Sequence, residues 1–197
     1  MSTSAEIAIY VIRTLGSLYL LMILLRFLFQ LVRADFYNPI SQFVAKATNP
    51  LLLPLRKVIP GVFGVDLAAL VLALAVQWLL LQLVLVIIGQ GFLNPLATIT
   101  WSAIGLLSMV LSIYFWCLII SIIASWVAPF SQNPALILVR QLVAPVMAPF
   151  QKLIPPLGGI DITPIFAFMV LHILNGYLVP ALARSVGMII SPNLFVM

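Results

Sequence analysis

The sequence predicts an all-α membrane protein with four transmembrane helices arranged as two tandem parallel repeats, each with a short amphipathic interfacial helix and a proline-rich elbow. Three observations predict it. Of 197 residues, 64% are hydrophobic and 7% charged, with a mean hydropathy of +1.28. Polar side chains are too few to cover a water-soluble surface, so bilayer is the expected solvent. Four stretches also approach the roughly 20 apolar residues that a helix needs to cross a hydrocarbon core. Finally, a spaced motif occurs twice. Asn38-Pro39, Pro50, Pro54, Lys57, Ile59-Pro60, Gly64 and Asp66 recur 95 positions later, with spacing unchanged, as Asn133-Pro134, Pro145, Pro149, Lys152, Ile154-Pro155, Gly159 and Asp161. Such gapless register, in a composition dominated by Leu, Ile and Val, is most simply an internal duplication.

Repeat 1 covers residues 1–94, with spans at about 7–32 and 67–88 around an interfacial loop at 33–66. Repeat 2 covers 95–197, with spans at about 101–126 and 164–183 around a loop at 127–163. The N-terminus lacks a basic n-region and bears Glu6, and the apolar run after it is longer than a signal-peptide core, so that run is expected to be the first mature span. An offset containing two spans makes the repeats parallel, related by an axis along the bilayer normal. Arg33, Lys46, Arg56 and Lys57 flank or occupy the first loop and Arg140 and Lys152 the second, whereas the connector at 89–100 is uncharged. Basic loops stay in the cytoplasm, so both repeat loops are expected inside and both termini outside, in a bacterial inner membrane. The net charge of +5 is read as topology and attraction to anionic headgroups. Nucleic acid is not an expected partner, because the basic residues are sparse and Phe and Trp lie inside the apolar runs.

Within each loop a short amphipathic helix is expected first. Ile40, Phe43, Val44 and Ala47 share a face away from Gln42 and Lys46, and Leu138, Val139, Leu142 and Val143 do the same opposite Arg140 and Gln141. Helices this short lie in the headgroup plane; the alternative, a re-entrant hairpin, needs its irregular backbone shielded from lipid. Three prolines then hold the chain as short kinked pieces, since each removes a backbone donor. Gly64 and Gly159 permit a turn. Asp66 and Asp161 stand at the start of the second and fourth spans, where a carboxylate caps free N–H groups and complements the helix dipole. The competing reading pairs these aspartates with Lys57 and Lys152 in an ionic or relay role.

Ionisable groups inside the bilayer are functional candidates because they are costly there. Arg26 lies roughly 10 Å from the inner end of its span, within snorkelling reach of the headgroups, with an internal ion pair as the alternative. Gln77 and His172 occupy equivalent positions of the two repeats, each about 16 Å into the bilayer. They are expected to meet as an interhelical hydrogen bond, with Asn175 and Gln82 as further partners; a conducting or proton-relay role is the sharper alternative. Lone Cys117 reads as a small apolar residue. No HExxH, GxSxG, phosphate loop or metal-ligand cluster is present in the sequence. Four acidic residues and one histidine leave little for acid–base catalysis, so neither enzymatic activity nor a cofactor is expected.

The doubled Asn-Pro, the proline-rich basic stretch and above all Pro155-Pro156-Leu157-Gly158-Gly159-Ile160-Asp161-Ile162-Thr163-Pro164 resemble the YggT family of small bacterial membrane proteins, called YlmG in some lineages. The likeness spans essentially the whole chain. It implies a link to osmotic or potassium-related stress, to envelope organisation at division or, in plastids, to assembly of a cytochrome complex. The first copy departs from the family pattern, reading Gly61-Val62-Phe63-Gly64-Val65-Asp66-Leu67 without the double glycine or the following proline, and Gln151 stands where Arg56 is basic. On these grounds the expected function is a non-enzymatic scaffold or assembly factor, working with a membrane-protein partner or as a homo-oligomer. The alternative is a small ion-conducting or ion-transport-regulating protein.

Overall fold

Seven helices and one π-helical turn account for most of residues 2–61, 64–153 and 162–196, which a computed structural model describes. They are α1 (Thr3–Leu31), α2 (Pro39–Val58), α3 (Leu67–Ile87), α4 (Pro95–Val127), α5 (Pro134–Leu153) and α6 (Thr163–Ile173), then the π turn Leu174–Leu178 and α7 (Val179–Ser185). The first three predicted apolar stretches fall on α1, α3 and α4, and the fourth runs through α6, the π turn and α7. By length and composition five segments could cross a membrane: α1, α3, α4, the continuous stretch Thr163–Ser185 and also α5.

Helix starts are written locally in the sequence. Asn38, Asn94 and Asn133 each precede a proline, and each side-chain oxygen accepts from the N–H two residues on, at 2.9, 3.0 and 2.9 Å. The Asn supplies the cap and the proline, which has no N–H to waste, presets the first helical φ. This dipeptide starts α4 at Pro95, six residues before the expected span. Asp66 caps α3 by accepting from Ala69 N–H at 3.2 Å.

Three helices end in the same six-residue wrap, in which the residue after the cap is left-handed. At α3 and α7 that residue is glycine, Gly89 (φ 83°) and Gly187 (φ 62°). At α1 it is Arg33 (φ 54°), with Ala34 N–H bonded to Phe29 O at 2.8 Å. A non-glycine residue held there costs on the order of 1 kcal/mol.

The prolines do not break α2 and α5 into pieces, as was expected. Both helices run unbroken for 20 residues through Pro50 and Pro54, or Pro145 and Pro149. All four prolines lie on the exposed face, where a carbonyl deprived of its partner tilts outward to water or headgroups and the helix bends instead of ending. The opposite face of α2 buries Ser41, Val44, Thr48 and Leu52. Phe43, Leu51, Leu53 and Val58 remain exposed, beside Lys46 and Lys57.

In the bundle α1 packs along α3, α3 on α4, α4 on α5 and on the α6–α7 stretch, and α2 against both α1 and α3. The last residues fold back into it: Arg13 Nε donates to Leu194 O at 2.7 Å, and Phe195 is buried.

Candidate functional site

The two copies of the motif meet at their Asn-Pro starts. Asn38, besides capping α2, donates from Nδ2 to Pro134 O at 2.8 Å, so the two Asn-Pro copies are joined directly. Beside them Asp35 N–H bonds Gln141 Oε1 at 3.1 Å. Among the described residues, every side-chain hydrogen bond between α2 and the α1–α3 pair falls at Arg26, Gln30 or Asp66. A helix of 20 residues is about 30 Å long, yet all its polar ties reach only the last turns of α1 and the residue capping α3.

Arg26 is held by neutral acceptors. Its Nη1 donates to Ala45 O at 2.7 Å, Thr48 Oγ1 at 2.9 Å and Asn49 Oδ1 at 2.8 Å. The side chain is thus turned onto α2, which replaces both the snorkelling and the ion-pair expectations. The ion pair at this end is Arg56–Asp66, with Arg56 also bonded to Gln30 Oε1 at 3.1 Å. Asp66 is 3% exposed and both caps α3 and carries this charge pair. The expected partner Lys57 is exposed instead; one residue further on it points about 100° around the helix from Arg56. Lys152 and Pro60 are likewise exposed, and Gly64 (φ 82°) makes the turn ahead of Asp66. In the second copy Pro155, Gly159 and Asp161 lie outside the described residues.

Gln77 and His172 are not brought together. Gln77 is buried on α4 at Gly105, where an added Cβ would sit 2.6 Å from its Nε2, and its Oε1 has no partner. His172 lies on α6, which packs on a different part of α4, and it meets Tyr177 edge-on with ring centroids 6.3 Å apart. Nor do Gln82 and Asn175 join them. Gln82 Nε2 donates to Thr98 Oγ1 at 2.9 Å and to Leu93 O at 3.2 Å, tying α3 to the start of α4. Asn175 Oδ1 accepts from Ser108 at 2.8 Å, its Nδ2 donates to Ser112 at 3.0 Å, and Ser108 also bonds Asn193. His172, Asn175, Asn193 and Ser112 line a cavity of about 220 Å³. Equal depth in two sequence copies says nothing about azimuth, and here α4 contributes the serines that hold Asn175 and the threonine that holds Gln82.

Asn175 sits in the π turn, where Val179 N–H reaches back five residues to Leu174 O. Pro180 cannot donate to the Gly176 carbonyl and crowds it; widening the turn relieves both. Gly176 and Pro180 were the available signal. Arg33 was the other residue missed, since a basic loop residue carries no sequence mark of a left-handed φ.

Similarity to known proteins shows the family. The CCB3/YggT family model matches residues 5–88 and 100–182. An uncharacterised protein of Pseudomonas aeruginosa is 51% identical over 184 residues, covering 92% of each chain. The uncharacterised protein YggT of Escherichia coli K12 is 33% identical over 189 residues, covering 94% of this chain and 96% of its own. A Vibrio alginolyticus protein is 37% identical over 169 residues, 84% of this chain and 90% of its own. No solved structure matches. The chain is a helical protein with several membrane-length apolar segments, and it belongs to the CCB3/YggT family.

Proposed function

We propose that the chain is a non-enzymatic scaffold or assembly factor of the bacterial inner membrane, built as two tandem copies of span, interfacial helix and span. Four spans hold α2 and α5 at the cytoplasmic leaflet, with both termini outside. There the helices engage anionic headgroups and a membrane-protein partner or a second copy of the chain. Nucleic acid has no part in this reading.

One observation carries it. The Asn-Pro dipeptides that recur in the two halves are joined through Asn38 and Pro134, while the spans between them are almost without charge. The bounds of α5 follow those of α2 by 95 residues at both ends, and the family model matches each half separately, which supports the tandem copies. Exposed Phe43, Leu51 and Leu53 beside Lys46 support a helix lying between acyl chains and headgroups. The osmotic and envelope roles implied by the family resemblance then follow from organising partners at that leaflet.

The second reading, ion conduction, is favoured by the cavity of His172, Asn175, Ser112 and Asn193. Potassium and proton flux in liposomes holding the purified protein separates the two. The scaffold reading expects flux at the protein-free rate. Selective flux that disappears in the His172→Leu, Asn175→Leu double variant would overturn it.

A further inference from the structure

Three arginines, Arg26, Arg33 and Arg56, line a cavity of about 450 Å³ between the end of α1 and α2. Among the described residues the one carboxylate paired with any of them is that of Asp66, on Arg56. Arg26 uses Nη1 on neutral acceptors, and Arg33 brings a third positive charge from a left-handed position that glycine fills at α3 and α7. Cations gathered in a half-buried space want an anion that accepts charge-assisted hydrogen bonds. Ser41 supplies an independent sign. It lines the same cavity, is 7% exposed, and its Oγ has no hydrogen-bond partner. A buried hydroxyl without a partner is uncommon and points to a missing ligand or water.

The cavity has an apolar neighbour. Phe29 belongs to the walls of both, the second being a space of about 330 Å³ lined by Leu21, Leu25, Met109, Ile113 and Leu138. A polar cavity for a phosphoryl group thus adjoins an apolar one for a hydrocarbon chain. The sequence provides a control within the molecule. Ninety-five positions after Arg26 and Arg56 stand Ser121 and Gln151, and both line a cavity of about 690 Å³ between α4 and α5. The bundle therefore tolerates neutral residues at these two positions: the first cavity has Arg26 and Arg56 where the second has Ser121 and Gln151, and the arginine that lines the second, Arg140, stands where the first has Ala45.

We infer that the Arg26–Arg33–Arg56 cavity binds a phosphoryl anion, supplied as the headgroup phosphate of a phospholipid whose acyl chain enters the space beyond Phe29. Ser41 Oγ donates the remaining hydrogen bond. As a lipid site the inference rests on the placement of α2 at the leaflet proposed above; binding of inorganic phosphate by the solubilised protein does not, so the two failures are distinguishable.

The test measures dioleoylphosphatidylglycerol retained by the purified protein in detergent, by native mass spectrometry, and its displacement by inorganic phosphate. Wild type should retain one lipid. Arg33→Gly should lower retention at least tenfold with melting temperature unchanged or raised, because glycine relieves the left-handed strain. Leu25→Trp should lower lipid retention by filling the apolar space while phosphate protection persists. Lys57→Gln, outside the cavity, should match wild type; an equal loss there means diffuse headgroup attraction and overturns the site. Phosphate binding that survives with lipid retention unaffected by Leu25→Trp overturns the lipid as source. Arg33→Gly and an Arg26→Gln, Arg56→Gln double variant that both retain lipid and phosphate like wild type overturn the inference outright.

Discussion

Asp66 and Arg56 form one ion pair, but the two partners are unequally placed, and that inequality predicts unequal costs of removal. The carboxylate is 3% exposed and caps α3, whereas the guanidinium is 35% exposed and keeps a second bond to Gln30. Asp66→Asn keeps an N-cap and frees an arginine that turns to water, so the loss is that of a near-surface pair, about 1 kcal/mol. Asp66→Ala adds the lost cap, for a total of about 2 kcal/mol. Arg56→Gln strands a buried carboxylate with only the cap N–H to solvate it. Removing one partner of a fully buried pair costs about 3–5 kcal/mol, and with the cap retained the cost here is about 3. The assay is reversible unfolding of the purified protein in mixed micelles, followed by fluorescence of its tryptophans. The expected order of loss is Arg56→Gln, then Asp66→Ala, then Asp66→Asn. Equal losses for Arg56→Gln and Asp66→Asn, or for Asp66→Asn and Asp66→Ala, would refute the reasoning.

Three further outcomes are expected in the same assay. Asn38→Ala removes a cap and the bond to Pro134 and should cost about 2 kcal/mol, against about 1 for Asn133→Ala, where only the cap bond is lost; equal costs would deny the tie between the loops. Gly105→Val should cost about 1–3 kcal/mol, since its Cβ alone meets Gln77 Nε2 at 2.6 Å, and Gln77→Ala should recover part of that loss. Asn175→Leu removes the bonds to Ser108, which keeps Asn193, and to Ser112, and should cost about 1–2 kcal/mol, with His172→Leu nearly neutral because His172 is exposed on the bundle.

Much of this fold was legible because its signals are local. The apolar runs locate α1, α3, α4 and the α6–α7 stretch, the helical spacing of Ile40, Phe43, Val44 and Ala47 finds the start of α2, and the place of Asp66 before an apolar run marks it as a cap. Where reading failed, the deciding contact was distant or azimuthal. Proline at Pro50 and Pro54 was taken as a break because the sequence does not reveal which face a proline occupies, and on an exposed face the lost bond is tolerated. Repeat equivalence points the competing ionic reading of Asp66 at Lys57, whereas the actual partner, Arg56, lies about 100° away around the helix. Gln77 and His172 were paired by depth alone. The Asn94-Pro95 start of α4 was within reach, since Asn38-Pro39 and Asn133-Pro134 already carried the same signal.

The proposed account depends on both copies of the motif lying at one face of the membrane, a placement that the bond from Asn38 to Pro134 supports. Single cysteines at Lys57 and at Lys152, placed in a Cys117→Ala background, can be labelled with an impermeant maleimide in right-side-out and inverted vesicles. Both should label only in inverted vesicles; one labelling from each side would contradict the account.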